Sequence, residues 1–138
     1  MADDPAREAW SIAFALAMRN RGKLLAALEE LDLTFMQAHV LRLLEGNRPI
    51  PMGDLAAVLH CDASNVTGIA DRLEARGLVQ RRSAPEDRRV KALALTPAGL
   101  QMRRRVIRAM TDPPAAIKRL SDADQAALRD ILRRAVGA

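Results

Sequence analysis

The stretch DASNVTGIADR (62–72) sets three small hydrogen-bonding side chains, Ser64, Asn65 and Thr67, ahead of Arg72. A second stretch, PEDRRVKALALT (85–96), puts Arg88 and Arg89 directly behind two acids at a turn. Hydroxyls, a carboxamide and guanidinium groups are the chemistry of polyanion recognition. The first two types donate and accept at base edges, and arginine pairs with phosphate or enters a narrow groove. Covalent chemistry has less to work with. Cys61 is the lone cysteine, and His39 and His60 are the two histidines. They form no nucleophile, base and orienter in any recognisable pattern, so an enzyme is not expected. No C-x-x-C or H-x-x-x-H spacing occurs, so neither a metal site nor a cofactor is expected. Cys61 precedes a helix start, where a thiol can acidify; a tolerated or buried thiol is the simpler reading.

Composition points the same way. The 138 residues make one domain, with 22 Lys+Arg against 17 Asp+Glu and a net charge of +5. That balance suits a polyanionic partner. The excess is C-terminal, however: residues 97–138 carry nine basic and four acidic side chains, and residues 51–96 carry seven and six. Trp10, Phe14 and Phe35 are the only aromatic rings besides the histidines. A single-strand binder would need more stacking platforms than these. The N-terminus is acidic where a signal peptide is basic, and the apolar run WSIAFALAM (10–18) is about half a membrane span. A soluble, cytoplasmic chain with no membrane association is expected.

The elements that must position these residues follow from hydrophobic period and capping. A first helix is predicted over 5–30, with Gly22 as a point of interruption. Thr34 and Gln37 form a capping box that opens a second helix, which stops at EGNRP (45–49). A short helix over 52–59 leads to Asp62, the N-cap of a helix reaching Arg76 and closed by Gly77. Two helices so joined make a helix-turn-helix. The period then changes from 3.6 to 2: LVQRR and RVKALAL read as strands joined by SAPED, a hairpin. Thr96 and Pro97 start a helix running to about Met110, and a last helix begins near Ser121. The predicted order is α-α-α-α-β-β-α-α: mainly α, with a small β-hairpin wing on a helix-turn-helix.

Val66, Ile69, Ala70 and Leu73 form the inward stripe of the 62–76 helix. Ser64, Thr67, Gly68 and Asp71 then point outward, flanked by Asn65 and Arg72. Ser64, Asn65, Thr67 and Arg72 are the candidate base and groove contacts. Asp71 and Glu74 are expected to pair with Arg72 or Arg76, or to stay solvated. Arg81, Arg82 and Lys91 are candidate phosphate contacts, and the helix start at Thr34 and Gln37 offers backbone amides to another phosphate. The arginine run RRRVIR (103–108) reads as a solvated face or an ion-pair partner for acidic residues, ahead of a phosphate contact.

A hairpin carrying Asp87-Arg88-Arg89-VKALA-Leu95-Thr96, preceded by SNVTGIADRLEARGLVQR and followed by TPAG, resembles the MarR family of winged helix-turn-helix transcription regulators. The resemblance extends over nearly the whole chain. It implies one domain, 1–138, with a DNA-binding lobe at 33–96 and dimerisation helices at 5–30 and 97–138. It implies a homodimer on a pseudo-palindromic operator in double-stranded DNA, and a repressor more often than an activator. In the wing it implies an ion pair between Asp87 and Arg89 that shapes the hairpin, a carboxylate orienting a guanidinium bidentately, with Arg88 offered to the minor groove. Family members commonly respond to a small amphipathic or phenolic effector held in a crevice; Trp10, Phe14, Phe35, Met36 and His39 are candidates to line one, against ordinary core packing. The rival reading is a winged-helix protein-interaction module without specific DNA readout, separable by the salt dependence of binding.

Overall fold

The computed structural model describes residues 4–46 and 48–138. Helix α1 runs Pro5–Glu30, with the Asp4 carboxylate accepting from the amides of Ala6 and Arg7. It passes through Gly22 without a break, against the expected interruption. Straight helix formers surround that glycine, and its cost of about 1 kcal/mol against alanine does not stop a helix of this length. The capping box at Thr34 forms in full: the Thr34 hydroxyl accepts from the Gln37 amide, and the Gln37 side chain accepts from the Thr34 amide, both at 3.1 Å. It opens α2, Phe35–Leu43. Asn47, within the expected stop, lies outside the described residues.

A two-residue strand, β1 (Ile50–Pro51), then leads into α3 (Met52–Leu59) and α4 (Ala63–Ala75). Asp62 caps α4 by accepting from Asn65 at 2.9 Å, and Gly77 closes it at a φ of 71°. That conformation favours glycine because it carries no Cβ. Strands β2 (Val79–Ser83) and β3 (Lys91–Leu95) form the hairpin, antiparallel, with Arg81 opposite Leu93. The hairpin is part of a three-stranded sheet ordered β1-β3-β2. Ile50 pairs with Leu93 and Pro51 with Ala92. Two residues ending in proline give no alternating pattern, which is why the sequence predicts a hairpin alone.

Helix α5 spans Pro97–Thr111, a short α6 spans Ala115–Lys118, and α7 spans Asp122–Val136. The α6 turn is absent from the predicted order, because PPAAIK is too short to show a period. The core lies where α2, α4, α5 and the sheet meet: Leu41, Leu44, Leu55, Val66, Leu73, Leu93 and Val106 are almost wholly buried. Outside it the helices are poorly covered. Leu28 is the only buried residue of α1, and α7 has none.

Polar ties join the peripheral helices to the core. Arg76, at the end of α4, donates to the carbonyls of Asp32 (2.5 Å) and Leu31 (3.1 Å) just past α1. Arg103 donates to the Arg42 carbonyl at the end of α2. Asp112 accepts from Lys23 of α1 at 2.8 Å and from Lys118 of α6 at 3.0 Å, and these two hydrogen bonds hold its carboxyl below the usual range. Arg104, Arg105 and Arg108 remain exposed, as a solvated face should be.

The start of α5 is packed backbone to backbone. Thr96 donates through its hydroxyl to the Gly77 carbonyl and through its amide to the Leu78 carbonyl, and it caps Gly99. A Cβ on Gly99 would lie 1.8 Å from the Leu78 carbonyl oxygen. Backbone cannot give way as a side-chain tip does.

At the wing tip, Asp87 Oδ1 accepts from the Arg89 amide at 2.9 Å, while its contact to Arg89 Nε is 3.8 Å. The Arg89 side chain is 95% exposed. The expected ion pair is therefore present only as one long contact rather than a bidentate one, and the carboxylate folds the turn through a backbone amide. An exposed ion pair of this length contributes about 0–1 kcal/mol. Val90 completes the turn, donating to the Asp87 carbonyl and accepting from the Ala84 amide.

Two outcomes follow from this packing. Gly99→Ala lowers unfolding stability by about 1–3 kcal/mol or more in urea titrations, the usual overpacking cost; an unchanged midpoint contradicts the close approach. Asp87→Asn keeps the acceptor and should preserve the exchange rate of the Arg89 amide, whereas Asp87→Ala should raise it. Equal effects from both would return the role to charge.

Candidate nucleic-acid interface

Helix α4 turns its apolar stripe inward because Val66, Ala70 and Leu73 are 2% exposed or less. The opposite side carries the polar residues, divided between two faces. One face borders an open depression of about 380 Å³ between α4 and the start of α2, lined by Thr34, Met36, Cys61, Ser64, Asn65, Gly68, Ile69 and Arg72. The other face, Thr67, Asp71 and Glu74, is turned toward β2. Of the candidate contacts on α4, Ser64, Asn65 and Arg72 thus border the depression, and Thr67 stands beside the wing.

Their hydrogen bonding is uneven. The Ser64 hydroxyl donates to Asp62 at 2.7 Å and the Thr67 hydroxyl to the Ala63 carbonyl at 2.9 Å. Both oxygens keep lone pairs for an incoming donor. The Asp62 carboxyl is held below its ordinary range by the Asn65 amide first and the Ser64 hydroxyl second. The side chains of Asn65 and Arg72 are exposed and have no hydrogen-bond partner among the described residues. At the start of α2, the amides of Thr34 and Gln37 are consumed by the capping box, and Gln37 is buried. The open first-turn amides are those of Phe35 and Met36.

Arg81 departs furthest from expectation. The sequence makes it a candidate phosphate contact and offers Asp71 and Glu74 to Arg72 or Arg76. Instead both acids hold Arg81: Nη1 lies 2.7 Å from Glu74, and Nη2 bonds Asp71. These contacts raise its already high pKa, the Asp71 hydrogen bond most. The pairing depends on the strand register, which no spacing in the sequence reveals. Elsewhere on the wing Arg88 and Lys91 are exposed and without hydrogen-bond or ionic partners among the described residues, and Arg82 reaches the Gln80 side chain.

The crevice candidates separate into two aromatic pairs. Trp10 and Phe14 meet on α1 at 6.4 Å between centroids, and Phe35 stacks on His39 at 6.0 Å on α2. Trp10 is 70% exposed, so core packing does not describe it either. Met36 borders the depression. His39 sits beside Arg42, with its pKa below the usual value through partial burial first and the arginine's charge second.

Among the described residues no group of three or more His, Cys, Asp or Glu is placed to hold a metal, and no helix is long and apolar enough to cross a membrane.

Residues 33–91 match the family model described as MarR family. The transcriptional repressor MprA of Escherichia coli K12 is 37% identical over 90 residues, covering 65% of this chain and 51% of that protein. The chain spans about half the length of the curated relatives it matches. Among solved structures, a mutant of MarR from E. coli superposes with a TM-score of 0.79 at 23% identity, covering 99% of this chain and 98% of that one. A mutant MepR of S. aureus bound to an oligodeoxyribonucleotide does so with a TM-score of 0.63 at 19% identity, covering 99% and 98%. The fold is the winged helix of these structures, and residues 33–91 form a MarR-family region.

Proposed function

We propose that the chain is a sequence-specific regulator that reads double-stranded DNA as a homodimer on a pseudo-palindromic operator, and that it acts as a repressor. One observation carries the reading. Two α4 polar side chains and a wing-tip arginine, all without hydrogen-bond partners among the described residues, lie with the open amides of α2 on the winged-helix lobe. Asn65 and Arg72 enter the major groove with Ser64 and Thr67, whose oxygens accept from base amino groups. Arg88 enters the adjacent minor groove, where a narrow A·T-rich stretch concentrates negative potential. Arg82 and Lys91 meet phosphates along the wing, and the amides of Phe35 and Met36 meet another at the start of α2. The division into a reading lobe at 33–96 and pairing helices at 5–30 and 97–138 belongs to the same reading, as does action in the cytoplasm.

The second copy covers apolar surface that one chain leaves in water. Trp10, Ile12, Phe14 and Met18 on α1 and Ile131, Leu132 and Val136 on α7 are all exposed. Rows of this kind on two terminal helices exceed scattered surface apolarity and suit an interface. A small amphipathic or phenolic effector would act by binding better to a spacing of the two lobes that does not fit DNA.

Selection from random duplexes should recover a twofold-related sequence. On that duplex Arg88→Ala weakens binding by ~1–3 kcal/mol, the range for one specific DNA contact. Affinity of the wild type should also fall steeply as salt rises from low to moderate. Salt-insensitive binding, or no recovered sequence, would favour a protein-interaction module on the same fold.

A further inference from the structure

Strand β2 is an edge of the sheet, since the order is β1-β3-β2. An edge exposes amides that β pairing does not use. The Arg81 amide is one, and it donates outward to Glu74 Oε2 at 3.0 Å. The same residue returns its guanidinium to α4: Nη1 donates to Glu74 Oε1 at 2.7 Å, and Nη2 reaches Asp71 and the Thr67 carbonyl, the latter at 3.4 Å. One arginine thus joins a strand edge to two turns of α4 through both backbone and side chain. Its side chain is 26% exposed, against 95% for Arg89. It is the only residue of β2 with a hydrogen bond to an α4 side chain among the described residues. Beyond it the hairpin from Pro85 to Val90 is exposed.

Two acids beside a DNA-facing helix need a reason, because each repels phosphate. Two carboxylates holding separate nitrogens of one guanidinium fix it in angle as well as distance. We propose that Arg81, clamped by Asp71 and Glu74, is a positioning residue that locks the wing to the recognition helix, so that major-groove and minor-groove contacts are made by one rigid unit. The inference rests on the DNA-binding reading above. Arg81 acts through Arg88: without the clamp the hairpin pivots on its buried base, Leu78 and Val79, and the tip loses its fixed offset from α4. Asp71 and Glu74 spend their charge on the clamp and so cease to repel the duplex.

A double-mutant cycle on the duplex selected by the wild type tests this. Arg88→Ala should weaken binding about tenfold in the wild-type background, the size of one specific contact. In an Arg81→Ala background the same change should cost less than about threefold, because coupled residues are not additive. Equal losses in the two backgrounds overturn the clamp and leave the DNA reading intact; a wild type that selects no duplex overturns both. A second variant, Asp71→Asn with Glu74→Gln, keeps the backbone and the arginine. Removing negative charge strengthens DNA binding by Coulomb attraction alone. The clamp instead requires weaker binding to the selected duplex and stronger binding to an unrelated one. Strengthening on both duplexes overturns the proposal. Arg81→Lys, which keeps charge and one carboxylate contact, should recover part of the lost coupling, and a lysine variant no better than alanine counts against it.

Discussion

The apolar stripe of α4 must leave water, and that constraint sets every outward direction on the helix. Burying a side chain such as Val66 or Leu73 contributes about 1.5–3 kcal/mol, whereas an exposed ion pair on the polar side contributes about 0–1 kcal/mol. The core therefore decides how α4 is rotated, and the polar residues take the directions left to them. Asn65 and Arg72 come to border an open depression, while Asp71 and Glu74 come to face β2. The wing inherits its place from the same packing, since Leu78 and Val79 at its base are buried against that core.

Much of this was legible from caps and periods. Thr34, Asp62 and Thr96 with Pro97 each place a helix start, and the structure puts α2, α4 and α5 one residue after them. A capping side chain satisfies amides that belong to its own helix, so the signal is local and survives without knowledge of the fold. The two-residue β1 was not legible, because its partner β3 lies some forty residues away and proline argues against a strand. Nor was the short α6. Gly22 misleads for the opposite reason: its local propensity looks decisive in a helix whose length outweighs it.

The site divides along the same line. Ser64, Asn65 and Arg72 share a face by helical spacing alone, so their grouping needs no tertiary knowledge. Arg81 shows the limit. Its partners lie seven and ten residues back on another element, and only the turn at Gly77 and the register of β2 bring them together. Spacing counts positions within an element and says nothing of the angle between two. The Asp87 turn is an intermediate case: the family resemblance implies the pairing of Asp87 with Arg89, but the acceptor's main partner is the backbone amide rather than the guanidinium.

The uneven charge of the chain fits this division of labour. The α4 acids hold Arg81 while the wing's Asp87 folds a turn through a backbone amide, and the groups these acids do not hold are the ones left open. A hydroxyl-radical footprint of the chain on its selected duplex tests the central claim, that α4 and the wing together read one face of DNA as a twofold pair. The account predicts two protected patches related by twofold symmetry and about one helical turn, ~34 Å, apart, each flanked by protection in the adjoining minor groove. A single unflanked patch, or uniform protection without boundaries, would contradict it.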